Sequence, residues 1–175
     1  MMRGSPAGIV LGLVIAACLG ALLYFGQNKS AASPDELVEL ALNAPSETEQ
    51  TTAAIKLADY GEEALAGLRR VANESTHPAV TAVCIEGLAK LWDYDSMEMF
   101  LDLAENGPPH TRGRAAQTVM RMTGRHRPYS ASAPAADRQL LVKHMRADWE
   151  EIKAASPEDR DGLKRRLRES DEKTH

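Results

Sequence analysis

The chain has 175 residues, of which 26% are charged and 5% aromatic, with a formal net charge of −4 and two cysteines. So few cysteines exclude a scaffold built on disulfides, and the acidic balance speaks against a nucleic-acid binder. Charge is unevenly spread: residues 30–106 hold fifteen acids and four bases, whereas residues 107–175 hold ten acids and fifteen bases. Such asymmetry either steers a partner and favours head-to-tail contact, or is no more than solvated surface.

The first element is the run GIVLGLVIAACLGALLYFG, residues 8–26, which carries no charged side chain. A helix of that length, rising about 1.5 Å per residue, crosses the roughly 30 Å core of a bilayer. It reads as an uncleaved single-pass transmembrane anchor, with residues 1–7 a short leader and 27–32 a linker. A cleaved secretory signal would use Ser30-Ala31-Ala32, but the apolar run is longer than such signals carry. A lipoprotein would be tethered through Cys18 in Ile15-Ala16-Ala17-Cys18, yet Leu19 to Phe25 continue the apolar core past it. Arg3 and the α-amino group precede the span, a slight bias that places the soluble part outside the cytoplasm. Gly8, Gly12, Ala16 and Gly20 share one face, where two copies could pack as a homodimer. Glycine and alanine are also common in membrane helices without that role.

Helix signals then follow in close order. Ser33-Pro34-Asp35-Glu36 opens a helix carrying Leu37, Val38, Leu40, Ala41 and Leu42, which stops at Asn43-Ala44-Pro45. Ser46-Glu47-Thr48-Glu49 opens a second, with Ala53, Ile55, Leu57 and Ala58 inward and Gly61 at its end. The third is predicted over residues 62–73 through Leu65, Leu68, Val71 and Ala72. The fourth starts at His77-Pro78, with Val80, Val83, Cys84, Leu88 and Leu91 as its apolar stripe. Residues 96–105 make a fifth through Met97, Phe100, Leu101 and Leu103. Residues 109–123 make a sixth through Ala115, Ala116, Val119, Met120 and Met122. A Ser-, Pro- and Ala-rich loop spans 125–134, and residues 137–155 form an amphipathic helix with Leu140, Leu141, His144, Met145, Trp149 and Ile152. Ser156-Pro157 opens a last polar segment through Arg168 with few apolar residues, Leu163 and Leu167. Residues 170–175 are expected to be disordered. Short helices with short turns leave no room for parallel-sheet crossovers, so the soluble part is all-α, built of antiparallel helix pairs.

Two of these pairs resemble each other. Pro78-Ala79-Val80 leads through Ala82 and Val83 to Gly87-Leu88-Ala89-Lys90-Leu91. About 32 residues on, Pro109-His110-Thr111 leads through Arg114, Ala115 and Ala116 to Val119-Met120-Arg121-Met122-Thr123-Gly124. A two-helix unit recurring at this period marks an α-solenoid. On residues 77–91 and 109–124, with weaker support in 49–71, the chain resembles the HEAT-repeat family, specifically its short bacterial members. Thr123-Gly124, Tyr129, Arg138, Leu141 and Trp149-Glu150-Glu151 are similar to the tail that closes such domains, in which a Trp-bearing helix caps the array. The resemblance covers residues 45–153. It implies a small HEAT-like solenoid over residues 33–155 that binds proteins on an extended concave surface, followed by a polar helix and tail at 156–175. The chain departs from the family in the turn within each repeat, where the usual Asp and Arg are largely missing and Arg112 or Arg114 is the nearest match.

Few residues suggest chemistry. His77, His110, His126, His144 and His175 stand singly, without the spacing or cysteine partners of a zinc site. There is no nucleophile elbow and no phosphate loop. Cys84 lies in an apolar stripe and reads as a buried, inert thiol. Asp93, Asp95 and Glu98 form an acidic turn, read as a cap for the fifth helix through Asp95 or Ser96 rather than as a cation site. The candidate binding patch is basic: Arg114, Arg121, Arg125, Arg127, Arg138 and Lys143, with Arg146 following and few acids nearby in sequence. Such a patch suits anionic lipid headgroups, a polyanion or an acidic protein face; its alternative is a solvated face. The expectation is therefore a membrane-anchored binding or scaffold module with an unidentified protein partner. No catalysis, cofactor, metal or nucleic acid is expected. Tethering through Cys18 is the main alternative. Some short HEAT-like proteins are chromophore lyases for phycobilins, but an enzyme of that kind wants an acidic or Cys-bearing pocket and a cytosolic setting.

Overall fold

The computed structural model describes residues 32–173, and the apolar run with its Gly8, Gly12, Ala16 and Gly20 face lies outside them. Among the described residues no helix is long and apolar enough to cross a membrane.

Prolines and serines set the helix starts. Among the described residues eight α-helices follow one another: α1 Pro34–Asn43, α2 Glu47–Ala58, α3 Leu65–Glu74, α4 Pro78–Lys90, α5 Met97–Asn106, α6 Pro109–Thr123, α7 Ala135–Ala154 and α8 Pro157–Glu172. Pro78, Pro109 and Pro157 occupy the first turn of their helices, where the missing N–H is no loss. Ser46 and Ser156 accept the backbone N–H of Glu49 (3.2 Å) and Asp159 (3.1 Å), each satisfying a donor the helix leaves open. The third helix begins late, because Gly61 turns the chain at φ +65° into a 3-10 turn, Gly61–Ala64, before α3 proper.

Consecutive helices pack as antiparallel hairpins, α1 with α2, α3 with α4 and α5 with α6. The second helices also pack side by side, α2 against α4 and α4 against α6, while α1 meets α3. Gly87 permits the close approach of α4 to α2: a Cβ there would sit 3.0 Å from the Ala58 Cβ and 3.3 Å from Leu68. The core runs along the row through Leu57, Leu68, Ile85, Leu88, Phe100 and Met122, all fully buried. Helix α7 closes the far end across α5 and α6, burying Val142, Met145, Trp149 and Ile152, and α8 lies against α6.

Several expected positions differ. Ile55 is 50% exposed instead of facing inward, since α2 buries the stripe Gln50, Ala53, Ala54 and Leu57 on its opposite side. Gln50 takes its inward place because its Nε2 donates to the Ala44 carbonyl at 2.9 Å, bracing the α1–α2 turn. His144 and Leu140 on α7 are exposed, and Val83 and Leu91 are half-buried. The last helix continues to Glu172, three residues into the stretch expected to be disordered, with Asp171 paired to Arg121.

Candidate binding face

The side-by-side second helices expose one stripe each. On α6 it reads His110, Arg114, Gln117 and Arg121, spaced four, three and four apart, so the 3.6-residue period keeps them on one side. Glu86 and Lys90 form the stripe on α4, and Thr52, Ile55 and Asp59 that on α2. Between α4 and α6 runs an open groove of about 360 Å³ lined by Glu86, Ala89, Arg114, Gln117, Thr118 and Arg121. Arg114 reaches across it to Glu86 at 3.5 Å.

The predicted basic residues do not form one free cationic surface. Arg127 donates twice to Asp148 on α7, at 2.8 and 2.7 Å, and Arg125 pairs with Glu151 at 3.1 Å. Arg138 donates to the Ala133 carbonyl, while Lys143 stands exposed on α7. Arg146 is engaged by Glu98, Asp102 and Glu105 of α5. These carboxylates come from distant parts of the chain, so the scarcity of acids near the arginines in sequence has no counterpart in space. What stays on the groove is Arg114 and Arg121.

The acidic turn has a different role from the one expected. Arg69 grips both oxygens of Asp93 and touches Asp95 at 3.1 Å, and the Ser96 hydroxyl donates to Asp93 instead of capping α5. Burial pushes the Asp93 carboxyl up, but the hydrogen bonds from Arg69 and Ser96 outweigh it and hold the group below the usual carboxylate range. Glu98 accepts from Trp149 Nε1 at 3.1 Å, tying α7 to α5.

Sequence reasoning passed over the aromatic cluster beside the groove. Trp92 is the only non-glycine among the described residues at positive φ (54°), and it is buried. The Arg121 guanidinium lies over its ring, 5.9 Å from the centroid. Tyr94 donates to the Met122 carbonyl at 2.9 Å and meets Trp149 edge-on at 5.5 Å. The pattern Trp-Asp-Tyr-Asp after α4 was the available signal, but nothing local tells which helix such rings will meet. Cys84 is buried, and desolvation pushes its thiol up to about 12, so it is unreactive in the folded domain. Among the described residues no group of three His, Cys, Asp or Glu side chains is placed to hold a metal.

Fold and surface together define an all-helical domain of eight packed helices with a helix-lined open groove. Set beside known proteins, the chain matches no family model, no curated protein and no solved structure.

Proposed function

We propose that this chain is a single-pass membrane protein whose helical part is a small HEAT-like solenoid, serving as a protein-binding or scaffolding module without catalysis. The observation that carries the reading is the row α2–α4–α6, whose exposed stripes run side by side. A row of stacked hairpins offers an extended surface that a partner can follow from unit to unit. The face mixes an apolar side chain, Ile55, with charged ones, Glu86, Lys90, Arg114 and Arg121. That composition suits recognition of a polar protein surface better than capture of an apolar ligand. The apolar run at residues 8–26 supports a membrane anchor, which would hold this face at the bilayer surface, outside the cytoplasm.

Crosslinking followed by recovery of the full chain from solubilised membranes tests this. Ile55→Glu combined with Arg114→Glu lies on the exposed stripes of α2 and α6, so folding should survive and helicity by circular dichroism should be unchanged. Partner recovery should drop at least tenfold; undiminished recovery would place binding elsewhere.

A further inference from the structure

We propose that the surface of α6 around Arg121 is a docking site for an amphipathic helix that presents a leucine and, four residues on, an acidic side chain, and that α8 is its resident, displaceable occupant. The inference rests on reading the domain as a protein-binding module, and names the kind of partner and its competitor. Helix α8 is sixteen residues long, yet none of them is buried. Leu167 rests on Gly124, Lys164 lies over the Tyr94 ring at 5.7 Å, and Asp171 faces Arg121 at 3.6 Å. That last separation is well beyond the roughly 2.7–2.9 Å of a charge-assisted hydrogen bond. A depression of about 470 Å³ stays open between the two helices, lined by Gln117, Met120, Arg121, Gly124 and His126 from the α6 side. The occupant fits loosely.

The receiving surface, by contrast, is built. Arg121 is stacked over a buried tryptophan that the fold holds at a backbone angle few non-glycine residues adopt. Its Nε is shielded from solvent and has no acceptor. A buried donor without a partner is a cost that a better-matched ligand would remove. Gly124, at φ +67°, presents no side chain where Leu167 sits; a Cβ there would lie 2.9 Å from Leu167 Cδ2. Helix α6 contains no acidic residue, so charge favours an acidic side chain at this contact. A helix with a leucine and, four residues on, a glutamate would fill both places. The glutamate's extra methylene lets its carboxylate meet Nε and Nη together, the two-point grip that Asp171 does not make. Gln117 and Arg121 line both this depression and the α4–α6 groove, so such a helix would extend the proposed binding face.

The probe is a fluorescent peptide of this chain's residues 157–173 carrying Asp171→Glu, titrated by anisotropy into the full chain in detergent. Wild type should bind weakly, because α8 competes in cis. Leu167→Ser with Asp171→Asn should bind at least tenfold more tightly, and adding Arg121→Gln to that background should abolish the gain. Equal peptide affinity for wild type and the double variant overturns the proposal. Hydrogen exchange of the unmodified chain gives a second measure: α8 amides should exchange at least a hundredfold faster than those of α4. Equal protection would make α8 an integral part of the core and overturn it too. A chain that instead dimerises with rising concentration and excludes the peptide overturns it in favour of α8 exchanging between copies. None of these readouts depends on the partner-recovery experiment with Ile55 and Arg114, so either can fail alone.

Discussion

Asp93 shows most directly how a single residue joins elements that the sequence keeps apart. It sits in the turn after α4, is nearly sealed from solvent, and receives Arg69 from α3 and Ser96 from the start of α5. Its carboxyl is held below the usual range, so the folded state favours the ionised form more than the unfolded chain does. That contribution to stability is complete above the unfolded value of about 4 and is lost as pH falls through the lower folded value. Urea unfolding at pH 7 and pH 3 should therefore show Asp93→Asn destabilised at pH 7 by roughly 2 kcal/mol, with a smaller loss on acidification than wild type. Equal pH sensitivity of the two would remove Asp93 from the acid response. In sequence, Asp93 is one of three closely spaced acids, Asp93, Asp95 and Glu98, a pattern that reads as a cap for the fifth helix through Asp95 or Ser96. The partner that decides its role stands 24 residues away. Cys84, by contrast, was legible at once, because a small thiol within an apolar stripe has no other place to go.

At the scale of elements, starts and stops were local and readable. Proline and serine fix the first turns because they manage unpaired N–H groups, and Gly61 and Gly124 adopt the positive φ that ends or redirects a helix. Inward faces were less readable where a helix is mostly polar. In α2, Gln50 is buried and Ile55 exposed, which inverts the hydrophobic ordering, because the carbonyls of the α1–α2 turn need a donor. Helix α7 is the element on which the far end depends. Trp149 is nearly buried, packs edge-on against Tyr94 and donates to Glu98, while Asp148 holds Arg127 from the preceding loop. Trp149→Ala should lower the unfolding free energy by about 3–5 kcal/mol, since both the ring contact and the cavity left behind count against the variant. Protection of α7 amides should fall more than that of α3, since α7 packs chiefly on α5 and α6. A loss below about 1 kcal/mol would show that the closing helix is held by other means.

Across the whole molecule, the uneven charge of the sequence is partly folded onto itself. Arginines of the basic second half meet acids of the first: Arg114 with Glu86, and Arg146 with Glu98, Asp102 and Glu105. Exposed pairs of this kind contribute little to stability each, but they decide which cations are left for a partner. The proposed anchor belongs to this scale as well. Intact mass of the chain from membranes should show a start at Met1 or Met2 and no acyl group; a diacylated chain beginning at Cys18 would refute the spanning helix. The sequence by itself determined the helical class, most helix starts and the inert thiol, because each follows from backbone donors and apolar spacing within a few residues. Only the tertiary structure decided which arginines remain on the groove, where Trp92 presents its ring, and that the last polar helix lies on α6. Those outcomes depend on charges and rings brought together from helices far apart along the chain, and no local pattern encodes such a meeting.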